Sequence, residues 1–337
     1  MIDHLRRYPG AFRHFARNRG LEVVALQASP LLGLLLGATE RRAIDFIQMG
    51  FLLTGSLALT AHVFVFNDWA GQHTDLLDER RAPVGFVRRG IKSRDVVILS
   101  VALLMVAFAM FAIVSPAAVL YGVAIATLST VYSYFVGKTT PIMSSVIHLL
   151  GGGCHFLLGY TVTHHIDSRG IAIASFFALV FAAGHLNQEV RDHDGDLQNL
   201  IRTNAVVFGR RRAFVTSVVL FTAAYATITG LAALTIIPRP LMWAVTLWPL
   251  HVAWSVRAIR RGLSFESALW MQRRYRVLFA GLGLAILLTA STATQPIRLT
   301  PGQHADRPAI RASLGSTAHL TGESAVARQP TQIPQVQ

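Results

Sequence analysis

The chain has 337 residues, 53% hydrophobic and only 14% charged, with a mean hydropathy of +0.46. A soluble domain carries nearer about 25% charged residues, so this composition reads as a single-domain polytopic membrane protein. The net charge of +14 raises nucleic acid as a partner. Placement argues against it, because most arginines sit in short segments between apolar runs, where they orient the chain and meet anionic lipid. A lone cysteine, Cys154, excludes an intrachain disulfide and any cysteine-rich metal site.

Residues 1–20 interleave Arg6, Arg7, Arg13, Arg17 and Arg19 with Leu5, Tyr8, Phe12 and Phe15. No continuous apolar core is present, so the stretch reads as an amphipathic helix in the cytoplasmic interface rather than a signal peptide. Nine apolar segments follow, near 21–39, 43–66, 95–114, 116–135, 141–163, 170–188, 213–236, 240–257 and 276–294. Each approaches the roughly 20 residues that a spanning helix needs. The expected fold is an all-α integral membrane protein with nine transmembrane helices, occupying 21–295. Past that point Gln, Thr, Pro, Arg and Ser take over, and 296–337 is expected to be a disordered tail.

Charge placement tests this threading. With the N-terminus in the cytoplasm, 23 of the 31 Lys and Arg residues fall in inside segments. That asymmetry predicts N-inside and, with nine spans, C-outside. Two acidic clusters then share the cytoplasmic side: Asn67, Asp68, Asp75 and Asp78 after the second segment, and Glu189, Asp192, Asp194 and Asp196 after the sixth.

Carboxylates at the ends of spanning helices are costly unless they bind metal, pair with cations or face water. If the second helix continues past residue 66, Asn67, Gly71, Asp75 and Asp78 share one face, at spacings of four, four and three. Glu189, Asp192 and Asp196 do the same at three and four, with Asp194 turned away. Hard oxygen ligands on two facing helices suit Mg²⁺, which binds through one or two carboxylates and substrate phosphates. The metals would neutralise a leaving diphosphate. Arg81 and Arg202 are candidates to clamp its phosphates. Tyr134 and Lys138, four apart at the inner end of the fourth segment, could line the pocket and contact the diphosphate. The plainer reading is a pair of solvated helix ends whose acids pair with Arg80, Arg81 and Arg191. Gly151-Gly152-Gly153, mid-segment, reads as a close helix-packing surface.

Asn67 with Asp68 and Asp75, then Tyr134-Phe135-Val136-Gly137-Lys138, then Asp192 and Asp196 with Thr203 and Gly209 resemble the UbiA superfamily of intramembrane prenyltransferases. That family's motifs run N-D-x-x-D-x-x-x-D, Tyr-x-x-x-Lys and D-x-x-x-D, with a G-x-x-T and a further Gly after the last. The likeness covers about 20–295. It implies nine helices in a ring around a central cavity, and an isoprenyl diphosphate substrate. It also implies Mg²⁺–diphosphate roles for Asn67, Asp68, Asp75, Asp192 and Asp196, with Tyr134 and Lys138 nearby; Asp78 and Glu189, from their place on the acidic faces, are further candidate metal ligands. No obligate protein partner is implied.

Three positions depart from the pattern. Gly71 stands where the prenyltransferases place the middle Asp of the first motif, Leu200 where the second motif usually continues to Gly, and Arg19-Gly20 where Arg-Pro often opens the first span. The resulting N-x-x-x-G-x-x-x-D is similar to the UbiA-type terpene cyclases, which fold the cation onto its own double bonds. A cyclase needs a dry chamber lined by aromatic faces. Candidates for that lining are Phe64, Phe66, Trp69, Tyr132, Tyr134, Phe156, Tyr160, Phe176, Phe177 and Phe181. No acceptor-binding charge stands out in the first segment. The expected activity is therefore Mg-dependent cyclisation of a C15 or C20 isoprenyl diphosphate, geranylgeranyl diphosphate first. Prenyl transfer to an aromatic or lipid acceptor is the alternative.

Overall fold

A computed structural model describes residues 7–38, 45–72, 86, 90–135 and 139–293, all within the unit Met1–Pro296. The tail expectation for 296–337 lies outside the described residues, as do Asp75, Asp78, Arg81 and Lys138. Every described regular element is helical. In chain order they are α1 (Arg7–Leu26), α2 (Ala28–Gly37), α3 (Phe46–Ala70), α4 (Ser93–Val114) and α5 (Pro116–Thr130), which runs into a π-helical turn at Val131–Phe135. Then come α6 (Met143–Thr163), α7 (Ser168–Gln198), α8 (Asn204–Phe208) and α9 (Arg210–Ala233). A 3₁₀ helix at Arg239–Thr246 leads into α10 (Leu247–Arg260), and α11 is Phe265–Ala293.

Helix thus falls within each of the nine predicted segments, and among the described residues seven stretches are long and apolar enough to cross a membrane. The last two predicted segments are not among the seven. The first of them is shared between the 3₁₀ helix and the 14 residues of α10. The second begins within α11, whose first half carries Arg273, Arg274 and Arg276. The first of the seven stretches is Phe15–Gly37, which takes in Arg17 and Arg19. Proline explains the break inside that stretch. Pro30 has no N–H to give Leu26 and its ring crowds that carbonyl; α1 ends there, and Leu31 N–H resumes the ladder to Gln27.

The central packing is close at backbone level. A Cβ on Gly33 would lie 2.2 Å from the Phe156 carbonyl oxygen, so α2 and α6 touch main chain to main chain. Only the middle glycine of 151–153 does comparable work: a Cβ on Gly152 would meet the Phe181 Cβ at 2.6 Å. Buried Phe156, Tyr160, Phe176 and Phe177 join Leu231, Leu282 and Ile286 in one apolar core. Those four aromatics of the expected lining are packing residues.

Capping sets the helix starts. Ser115 accepts from Ala118 N–H at 3.1 Å, with Pro116 at the first helical position, where its missing N–H costs nothing. Asp167 opens α7 by accepting from Gly170 N–H at 2.7 Å and Tyr160 Oη–H at 3.0 Å. The Gly170 bond first, then the Tyr160 bond and nearby His164 and Arg169, hold its carboxyl below its ordinary value. A depressed carboxyl contributes stability above its unfolded pKa and loses it as pH falls through the folded one. Asp167→Asn should therefore flatten the acid limb of a stability–pH curve, and Asp167→Ala should cost about 1 kcal/mol, both read by thermal unfolding in detergent.

Candidate active site

Three chain segments converge at one end of the bundle. α3 carries Asn67 and Asp68 in its last turn, and Gly71 N–H donates to the Asn67 carbonyl at 2.9 Å, stacking the glycine one turn beyond the amide. α7 is 31 residues long, about 46 Å at 1.5 Å per residue, which exceeds the roughly 30 Å hydrocarbon core and carries its acidic end beyond it. The π turn joins them. Ser133 Oγ donates to Asn67 Oδ1 at 3.4 Å, and Tyr134 stacks on Trp69, with planes 4° apart and centroids 6.2 Å apart. On the other side Tyr132 meets the rings of His148 at 4.8 Å and His185 at 5.7 Å, edge to face. A π turn inserts one residue into the helical register and occurs often at functional sites. Here it presents neighbouring residues to both acidic helices.

Asp192 is held by a bidentate fork: Arg191 Nε and Nη2 donate to its two oxygens at 2.7 and 2.8 Å, while Nη1 donates to Gln272 Oε1 at 2.7 Å. Asp196 is buried at 4% exposure, and its carbonyl belongs to the helix cap. Ile201 N–H donates to it at 2.8 Å and Leu200 N–H to Leu197 at 3.2 Å, the paired bonds of a Schellman end. Leu200, at φ 56°, occupies the left-handed position where glycine is favoured. The departure from the family's Gly thus falls on the residue that closes α7. Leu200→Gly should stabilise the protein by about 0.5–1 kcal/mol, measured by thermal midpoint.

Glu189 sits in a closed network of hydrogen bonds. Its oxygens accept from Ser144 Oγ at 2.9 Å, Asn204 N–H at 3.0 Å and the Asn204 amide at 3.0 and 3.2 Å, and His185 Nε2 lies 2.9 Å away. At 4% exposure it is an internal anchor for α6, α7 and α8, with its acceptor capacity taken up. Asn204, which the sequence did not single out, also accepts from Ile142 N–H at 2.6 Å and so holds a left-handed β-branched residue, φ 69°. Breaking such a network strands buried polar groups. Glu189→Ala should destabilise by about 3 kcal/mol in thermal unfolding, whereas loss of a mere metal ligand would leave the fold intact.

Arg19 was likewise missed as a site residue. It reaches Asp68 at 3.3 Å and Glu22 at 3.3 Å, and Arg276 from α11 closes on Glu22 at 3.0 Å. Charges on α1 therefore meet the first motif. His193 and Arg210 pair with Asp194, which points away from Asp192 as its spacing predicts. Arg202 is exposed, and Tyr134 is 61% exposed.

Among the described residues, no three of His, Cys, Asp and Glu converge into a ready-made metal site. Asn67, Asp68, Asp192 and Asp196 offer only oxygen, the donor class that Mg²⁺ takes. The fold defines an integral membrane protein with an oxygen-rich, acidic end. Residues 28–275 match the UbiA prenyltransferase family, and the chain belongs to it. Members of this family are enzymes acting on isoprenyl diphosphates. No curated protein matches the chain. Among solved structures, a UbiA homologue from Archaeoglobus fulgidus bound to GPP and Mg²⁺ is similar at 18% identity and TM-score 0.63, over 82% of this chain and 99% of that one. Digeranylgeranylglyceryl phosphate synthase is similar at 17% identity and TM-score 0.61, over 83% and 99%. An apo UbiA homologue from Aeropyrum pernix K1 is similar at 14% and 0.62, over 79% and 97%.

Proposed function

We propose that the chain is a Mg²⁺-dependent membrane terpene cyclase acting on a C15 or C20 isoprenyl diphosphate, geranylgeranyl diphosphate first. Nine spans, arranged around a central cavity, would place the N-terminus and the site in the cytoplasm and the C-terminus outside. Asn67, Asp68, Asp75, Asp78, Asp192 and Asp196 would hold the metal; Glu189 drops out because its oxygens are already committed. Bound Mg²⁺ supplies charge neutralisation for the leaving diphosphate. Arg81, Tyr134, Lys138 and Arg202 would position that group. When the carbon–oxygen bond breaks, its electron pair leaves with diphosphate, and the allyl cation is left to the apolar side of the site. There the rings of His62, Phe66, Trp69 and Tyr134 form a ladder with centroids 5.7, 5.5 and 6.2 Å apart, and its aromatic faces attract cations. Proton loss or water capture ends the sequence.

The observation that favours cyclisation over transfer is Gly71. It stands one turn beyond Asn67 and hydrogen-bonded to it, so a side-chain volume and a carboxylate are missing beside the ladder. Arg19 supports the second reading, since a guanidinium from the first span beside Asp68 is a place to hold an acceptor's anionic group. Incubating protein-containing membranes with Mg²⁺ and farnesyl or geranylgeranyl diphosphate, without acceptor, distinguishes them. A cyclic hydrocarbon or alcohol by gas chromatography–mass spectrometry, absent with EDTA, is the expected result. Prenylated product only on adding acceptors would make the chain a transferase, and no diphosphate release under either condition would overturn both.

A further inference from the structure

Across the turn between α10 and α11, two pairs spaced by four residues face each other: Arg257 on α10 with Arg261 just past its end, and Trp270 with Arg274 on α11. The Arg274 guanidinium lies 3.7 Å from the Trp270 ring centre, and those of Arg257 and Arg261 each lie 5.3 Å from it. Arg274 is also 5.6 Å from Trp254. Arg257 and Arg261 are exposed, and Arg274 and both indoles are half-buried.

An indole attracts a cation over its ring, and a simple staple between two helices uses one. Three guanidiniums on one ring repel one another. The C-terminal carbonyls of α10 offset part of that repulsion. Among the described residues, no carboxylate forms an ion pair with any of the three, whereas Arg19, Arg191, Arg210 and Arg276 each have one. Their single side-chain hydrogen bond among the described residues runs from Arg274 Nη1 to the Trp270 carbonyl, at 3.5 Å. Most of their planar N–H forks, suited to phosphate oxygens, are therefore uncommitted. The cluster sits at the bundle end fixed by Arg191–Gln272 and Arg276–Glu22, where a spanning protein meets headgroups and where tryptophan concentrates.

We propose that Arg257, Arg261 and Arg274, seated on Trp270, bind the phosphate of an anionic phospholipid. None of the three belongs to the reacting site, so the assignment stands apart from the choice between cyclase and transferase.

The test is native mass spectrometry of the detergent-purified full chain after exchange with equal phosphatidylglycerol and phosphatidylcholine. The wild type should retain phosphatidylglycerol in preference. The variant Arg257→Gln/Arg261→Gln/Arg274→Gln should lose that preference about five-fold or more. Arg13→Gln/Arg211→Gln/Arg212→Gln, which removes the same charge elsewhere, should keep it. If the first variant does not fold, the corresponding triple Lys variant, which keeps charge but not the planar fork, gives the reading through a smaller loss. Equal loss in both Gln variants would make this diffuse charge attraction and overturn the site. So would unchanged retention, or displacement of the lipid by millimolar inorganic diphosphate, which would mark a site for soluble anions.

Discussion

Replacing Asp192 with alanine is expected to abolish diphosphate release from an isoprenyl diphosphate, by about 10³-fold or more, because metal stabilisation of a leaving group is worth several kcal/mol. The fold should survive. Asp192 lies at the far end of α7, its side chain 15% exposed, and its partner Arg191 keeps a second bond to Gln272 when the carboxylate is gone. Detergent-purified variant and wild type would be compared for released diphosphate and for thermal midpoint. Near-normal turnover would remove Asp192 from the site. Lost turnover with a collapsed midpoint would instead make the Arg191–Asp192–Gln272 chain a structural clasp. Glu189→Ala is the informative companion, since it should lower the midpoint where Asp192→Ala does not.

The second large effect is structural. A Cβ on Gly159 would fall 1.8 Å from the Pro30 carbonyl oxygen and 2.6 Å from its carbon. Neither belongs to a movable side chain, so α2 and α6 would have to separate along the stretch where Gly33 meets Phe156 from the other side. Gly159→Val should cost about 4 kcal/mol, the upper end for a single substitution. It should show as aggregation on purification or a collapsed thermal midpoint. Gly151→Ala, whose Cβ would meet nothing within 4 Å, is the control. It should be neutral, or stabilising by about 0.5–1 kcal/mol, as helix propensity dictates.

The helices were legible in the sequence because apolar length is a property of each segment alone. The acids at the ends of α3 and α7 were legible for the same reason, being breaks in that apolarity. What the sequence concealed is pairing at a distance. Glu189 shares its helix face with Asp192, and nothing nearby says that it is already taken; its donors come from Asn204, 15 residues on, and Ser144, 45 residues back. Arg19 read as a leader charge until Asp68, 49 residues later, was found beside it. Gly71 and Leu200 were noticed as departures, yet only the backbone shows that Leu200 caps α7 in a glycine conformation. The aromatic list needed the same correction, since Phe156 and Phe66 look alike in sequence and only packing separates core from ladder.

The π turn at Val131–Phe135 also bears on how this chain is compared with its relatives. A π turn holds one residue more than the α-helical turn it replaces, so it is the footprint of a single-residue insertion. Against a relative whose helix runs unbroken there, an ungapped alignment would match positions beyond the inserted residue one place out. Each residue in a helix advances about 100°, so a one-residue slip within the turn would place its side chains on the wrong face. A gap belongs inside Val131–Phe135, and counts of shared residues beyond it depend on where that gap is placed.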